Sequence, residues 1–270
     1  MQRLMKNFIK RVRRAPWTFK QPLTAVPEDK KTKISDLFVW RNSDDWKSSF
    51  ELLNIAYLFG ECGIFQVDIV FFDAEGSVFF EKTIELFNGD RQTLNISKIL
   101  EDNFKAGVVG EFGTFAVFHR NTPDTVVKFN SFVAERGYVS YCYRGSLLSS
   151  YVHGNLDSIG KIDQNYVLLG GTSLLKRDYN LQYQLLPGCE CDIALTNPCS
   201  KPQKVTIKTF SFNDGRIIEI FHAKINSRAA IMYALKGISQ PCRISIESRM
   251  IMARPIIFIN KGDNMDVFHG

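Results

Sequence analysis

Two stretches of this chain, residues 67–86 and 205–220, follow one pattern that leaves few folds open. In the first, Val67, Ile69 and Phe71 alternate with Asp68, Val70 and Phe72. Asp73-Ala74-Glu75-Gly76 then makes a tight turn, and Val78, Phe79, Phe80, Ile84 and Leu86 return. In the second, Val205, Ile207, Phe210 and Phe212 lead to Asn213-Asp214-Gly215, and Ile217, Ile218 and Ile220 return. β-Branched and aromatic runs closed by an acidic, Gly-bearing turn form β-hairpins. Helical periodicity is scarce, with residues 96–104 (ISKILEDNF) the main exception, so the spacing predicts an all-β protein.

Other landmarks recur in the same order. Phe50-Glu51-Leu52-Leu53 is similar to Tyr183-Gln184-Leu185-Leu186, and residues 137–154 and 253–270 both close on His-Gly, at His153-Gly154 and His269-Gly270. Colinear landmarks with a drifting offset predict an internal duplication followed by loop insertion. The expected architecture is therefore two tandem β-sandwich domains, residues 35–158 and 159–270. A basic leader and linker, residues 1–34, precede them, and the Gly/Ser/Asp-rich residues 157–171 mark the boundary. Residues 121–137 of the first unit have no counterpart in the second.

At 270 residues, with 45% hydrophobic content and 22 Phe, the chain can bury a large core. Its net charge of +6 is local. Arg3, Lys6, Lys10, Arg11, Arg13, Arg14, Lys20 and Lys30 face only Glu28 and Asp29 within the first thirty residues, so the remainder is formally neutral. That distribution argues against a nucleic-acid-binding body. Residues 1–20 space Met1, Met5, Ile9 and Leu4, Phe8, Val12 four apart between basic side chains. The pattern predicts an amphipathic anchor that touches an anionic membrane surface or an acidic partner through Lys6, Lys10, Arg11, Arg13 and Arg14. No apolar run approaches a membrane span, no secretory signal is visible, and the six cysteines are scattered. The expected setting is cytoplasmic, in part membrane-peripheral.

Ile244-Ser245-Ile246-Glu247-Ser248 followed by Arg254-Pro255-Ile256-Ile257, after the acidic turn Asn213-Asp214-Gly215, resembles the sensory-rhodopsin-transducer family. The resemblance covers about 70 residues of the second half and, more faintly, the first. It implies a small β-sandwich and a non-enzymatic role. Some members of that family associate with photoreceptors, and a small-ligand or sugar-binding role has been suggested for the wider group. The present chain differs in being doubled and in carrying the basic leader.

The chemistry-bearing residues point to binding before catalysis. No G-x-S-x-G, P-loop or G-x-G-x-x-G is present, and Asp73 with Glu75 has the character of turn chemistry. Cys189-x-Cys191 with Cys199 lacks the second ligand pair a structural zinc site needs, so no metal or other cofactor is expected and core packing accounts for these thiols. His153 and His269 occupy equivalent places. They either flank a shared ligand surface or close their hairpins by bonding backbone. Tyr141, Tyr143 and Arg144, with Trp40 and Arg41 upstream, could present aromatic faces and a guanidinium to a sugar or peptide. The candidate ligand-binding residues are accordingly Tyr141, Tyr143, Arg144, His153 and His269. The expected function is non-enzymatic binding of a carbohydrate or protein ligand. The alternatives are an enzyme of carbohydrate metabolism with unrecognised catalytic residues, or a structural assembly subunit that forms a homo-oligomer.

Overall fold

A computed structural model describes residues 18–19, 33–58, 60–87, 89, 91–105, 109–120, 134–162, 164–181, 183–251, 254–262 and 264–270. The leader residues Lys6, Lys10, Arg11, Arg13 and Arg14, and most of the 121–137 segment, lie outside that set.

Strand β1 (Thr18–Phe19) precedes β2 (Ile34–Arg41) and β3 (Trp46–Leu53). Helix α1 (Ile55–Leu58) leads to β4 (Phe65–Phe72), β5 (Val78–Leu86), β6 (Arg91–Asn95) and α2 (Ile96–Asn103). Next come β7 (Phe112–His119), β8 (Ala134–Glu135), β9 (Tyr138–Tyr143), β10 (Ser150–His153), β11 (Asn155–Ile162) and β12 (Asn165–Leu168). The chain continues through β13 (Thr172–Asn180), β14 (Glu190–Thr196), β15 (Gln203–Ser211), β16 (Ile217–Ile225) and β17 (Ala230–Leu235). It closes with β18 (Cys242–Met250), β19 (Ile256–Lys261) and β20 (Asn264–His269).

Local chemistry explains the elements. Asp73 Oδ1 accepts from the Glu75 and Ser77 amides, and Gly76 takes φ +88°, so the acidic turn joins β4 to β5 as its sequence predicts. Gly215, at φ +70°, does the same between β15 and β16. The short helix expected over residues 96–104 forms because Asn95 caps it, its side chain accepting from the Lys98 amide at 2.8 Å.

The strands assemble into four antiparallel sheets, with only β8 running parallel to its partner β2. The orders are β1-β13-β18-β15-β16, β10-β9-β3-β6, β12-β11-β2-β7-β4-β5 and β17-β14-β19-β20. They stand as the blades of a four-bladed β-propeller, which corrects the expectation of two tandem β-sandwiches from a duplication. Each sheet of a sandwich keeps one polar face to water. Here two sheets are covered on both faces. In the sheet of β4 and β7, Val67, Ile69, Phe71, Phe115 and Val117 enter one core, while Val70, Phe72, Ala116 and Phe118 enter another with Leu168. In the sheet of β14 and β19, Cys191, Ile193, Ile257 and Ile259 pack toward β15 and β18, while Ala194, Ile256 and Phe258 join the core of the first half. Residues 157–171, read from composition as a boundary, instead contribute to β11 and β12 of the long sheet.

Side chains at the seam hold the halves together. The β4–β5 turn lies on residues 226–230: the Ala230 amide donates to the Ala74 carbonyl at 3.2 Å, and Asn226 Nδ2 to Glu75 Oε2 at 2.9 Å. Arg41, on β2, reaches Asp192 on β14 at 2.5 Å, with its guanidinium against both the Trp46 and Phe258 rings, 4.7 and 4.8 Å from their centroids.

Candidate binding cleft

The expected tyrosines share a strand face, as alternation requires, but that face points inward. Tyr141 is fully buried, its ring packed edge-on against Phe258 and its hydroxyl donating to the Val39 carbonyl at 2.8 Å. Burial drives its phenol well above the ordinary tyrosine range. Trp40 is likewise buried, with Nε1 donating to the Phe72 carbonyl. Neither ring has surface to stack on a sugar, so both are core residues and not ligand contacts. Tyr143 is also buried, against Trp46, and its hydroxyl accepts from Asn260. It lines a cleft of about 450 Å³ with Arg41, Asp45, Asp192 and Asn260. Arg144 pairs with Asp45 at 2.8 Å beside that cleft.

The two histidines do meet. β10 lies against β20, and the His153 and His269 rings are 4.5 Å apart, with exposed Tyr138 6.3 Å beyond His153. Each ring bonds backbone. His153 Nδ1 donates to the Gly154 carbonyl at 3.0 Å, and His269 Nε2 donates to the His153 carbonyl at 2.8 Å. The glycines are there for close packing. A Cβ on Gly154 would sit 2.8 Å from the Leu37 carbonyl oxygen, and one on Gly270 would sit 2.6 Å from the Leu181 side chain. Arg144 does not join this group. It follows Tyr143, whereas His153 pairs with Tyr138 at the other end of β9, about 17 Å away at the usual rise per residue.

His269 also forms one wall of a cleft of about 730 Å³ between β13 and β20. Asp178 and Asn180 come from β13, Tyr183 from the segment after it, Arg254 from the approach to β19, and Phe268 from β20. Tyr183 is 40% exposed, and its ring lies 4.9 Å from that of Phe268. The side chains of Asp178, Asn180 and Arg254 make no hydrogen bond or ion pair with the described residues, and all three residues are exposed. Sequence reading missed these residues. Their one signal is the exposed alternation of Asp178 and Asn180, and the cleft joins stretches far apart in the chain.

Burial, then the neighbouring His153 and Arg254, push the His269 imidazole down to about 4 from its ordinary 6.5. The ring is therefore neutral at pH 7. Because the unfolded chain takes up this proton first as pH falls, stability is intact above 6.5 and is lost between 6.5 and 4. We expect a loss on the order of 2 kcal/mol over that window. Carboxylates titrate there too, so the relevant quantity is the difference in urea midpoint between the native chain and His269→Gln at pH 7 and pH 4.5. Parallel losses in the two proteins would exclude His269 as the source.

The thiols take no part in the cleft. Cys191, Cys199 and Cys242 are buried in the second core, and burial pushes Cys191 and Cys199 up to about 12.

No helix among the described residues is long and apolar enough to cross a membrane. No protein-family model matches the sequence, and no curated protein matches it significantly. Among solved structures, a calcium-binding mutant of Bacteroides uniformis β-glucuronidase 2 is similar at 12% identity and TM-score 0.19, over 86% of this chain and 25% of that one. A β-glucuronidase from glycoside hydrolase family 2 is similar at 10% identity and TM-score 0.14, over 90% of this chain and 26% of that one. The chain spans about a quarter of the length of these structures.

Proposed function

We propose that this protein binds a carbohydrate without transforming it, in the cleft between β13 and β20. One observation carries the reading: the exposed Tyr183 ring, backed by Phe268, stands beside three polar side chains, Asp178, Asn180 and Arg254, that have no hydrogen-bond or ion-pair partner among the described residues. An aromatic face takes the C–H surface of a sugar ring, and unpaired carboxylate, amide and guanidinium groups fix its hydroxyls. Polar groups already committed to internal bonds would offer a ligand nothing, which is why the Arg144–Asp45 pair is the weaker candidate.

The separation of Arg144 from His153 removes the convergence with an acid that would favour the enzymatic alternative. A glycan-array screen followed by calorimetry on the best ligand tests the reading. Tyr183→Ala and Arg254→Ala should each weaken binding about tenfold, the usual scale for a central aromatic or arginine contact. Tyr141→Phe, which removes a hydroxyl bonded only within the core, should leave affinity unchanged. Absence of any glycan signal, or unchanged affinity in both cleft variants, would overturn the proposal.

A further inference from the structure

The outer face of the β1-β13-β18-β15-β16 sheet carries a concentration of positive charge that the chain's overall neutrality beyond residue 30 conceals. Val205, Ile207, Ile244 and Ile246 point into the second core, so the alternate residues of β15 and β18 face outward. Lys204 stands directly opposite Lys224 across β15 and β16, and the Val205–Ser248 pairing brings Arg249 to its other side. Like charges set opposite one another on a sheet are destabilising. Here the nearest acid, Glu247, is already held by Lys176 at 2.5 Å and Lys208 at 3.5 Å. Lys201, Lys204, Lys224 and Arg249 have no acidic partner among the described residues. Lys176, Lys201, Lys204 and Arg249 line one cleft of about 580 Å³ together with Leu174, and among the described residues no acid lines it.

Two further features share this sheet. Aliphatic side chains are exposed among the cations: Leu174 on β13, which lines that cleft, and Ile220, opposite Lys208, on β16. In addition, β1 pairs Thr18 and Phe19 with Ser173 and Thr172 at the mouth of the cationic cleft. The sequence immediately before Thr18 contains Lys10, Arg11, Arg13 and Arg14.

We infer that this sheet face docks on an anionic phospholipid surface. Cations draw the face to anionic headgroups, at about fivefold in affinity per Lys or Arg, and exposed aliphatic side chains gain by entering the interfacial layer. A nucleic-acid surface would instead pair its cations with aromatic stacking platforms. On this face the Arg243 guanidinium lies over the Phe210 ring at 5.4 Å, and the aliphatic side chain beside the unpaired cations is Leu174.

The test is sedimentation of the full chain with phosphatidylcholine vesicles, with and without phosphatidylserine, and titration with single-stranded RNA in the same buffer. The native chain should bind only the anionic vesicles, and Lys204→Glu/Arg249→Glu should weaken that binding at least tenfold with an unchanged thermal melt. Leu174→Ser should weaken it less and leave its salt dependence intact. Equal retention on neutral vesicles would overturn the inference. So would tighter binding to RNA than to vesicles. A third contrary result is full binding by the sheet variant while Arg13→Glu/Arg14→Glu abolishes it, since the leader would then act alone.

Discussion

Replacing Asp192 with alanine should destabilise the protein by about 3 kcal/mol, the scale for a buried charge left without its partner. Arg41 is only 12% exposed and Asp192 18%, so neither charge is well hydrated. The guanidinium lies against both the Trp46 and Phe258 rings, and its Nη1 is buried without a hydrogen-bond partner. Removing Asp192 leaves that cation in place against two aromatic rings. Arg41→Met keeps an apolar side chain of similar length there and removes the charge, so it should cost less than Asp192→Ala. The double variant should recover part of the single loss. Urea denaturation of the four proteins gives the coupling directly as a double-mutant cycle. Additive losses would mean that the two charges do not depend on each other.

The second large effect separates two glycines that look alike in the sequence. Gly76 and Gly215 both close acidic hairpin turns, and both take positive φ, at +88° and +70°. Gly215 faces open space, with only Arg243 Nη2 as near as 4.0 Å. Alanine there should cost about 1 kcal/mol, the ordinary penalty for a side chain in the left-handed region. At Gly76 a Cβ would collide with the Ser227 carbonyl oxygen and sit 2.8 Å from the Ala229 amide nitrogen. Both are backbone atoms and cannot swing aside. The turn would have to lift off residues 226–230, losing the Ala74–Ala230 and Glu75–Asn226 bonds. We expect Gly76→Ala to cost about 3 kcal/mol or more, in the range where backbone strain and a lost interface add. Equal melting temperatures for the two variants would contradict the docked position of this turn.

What the sequence made legible was local. The Asp73–Gly76 turn, its counterpart at Asp214–Gly215 and the capped helix after Asn95 each depend on neighbours within a few positions, and each formed as read. The sheet arrangement depends on which faces become covered, and alternation alone cannot say that. A signal was present in the near-continuous apolar runs Ile69-Val70-Phe71-Phe72 and Ile256-Ile257-Phe258-Ile259, since strands buried on both faces lose their alternation. Tyr141 and Tyr143 show the same limit: their shared face was readable, but not that it faces Phe258. The cleft was the least legible feature, because Asp178 and Arg254 meet only through the edges of different sheets.

The double coverage of the β17-β14-β19-β20 sheet also bears on how the chain is made. Trp46, Phe50, Phe115 and Tyr141 are synthesised first, yet the cluster they form includes Ile256, Phe258 and Val267, and Ile256 follows Tyr141 by 115 residues (256 − 141). Until those later residues arrive, the growing polypeptide carries an open aromatic surface of the kind that associates wrongly with other chains or recruits chaperones. Completion of the first core therefore waits on β19 and β20, and a ribosome stalled before residue 256 would hold a sticky intermediate instead of an independently folded half.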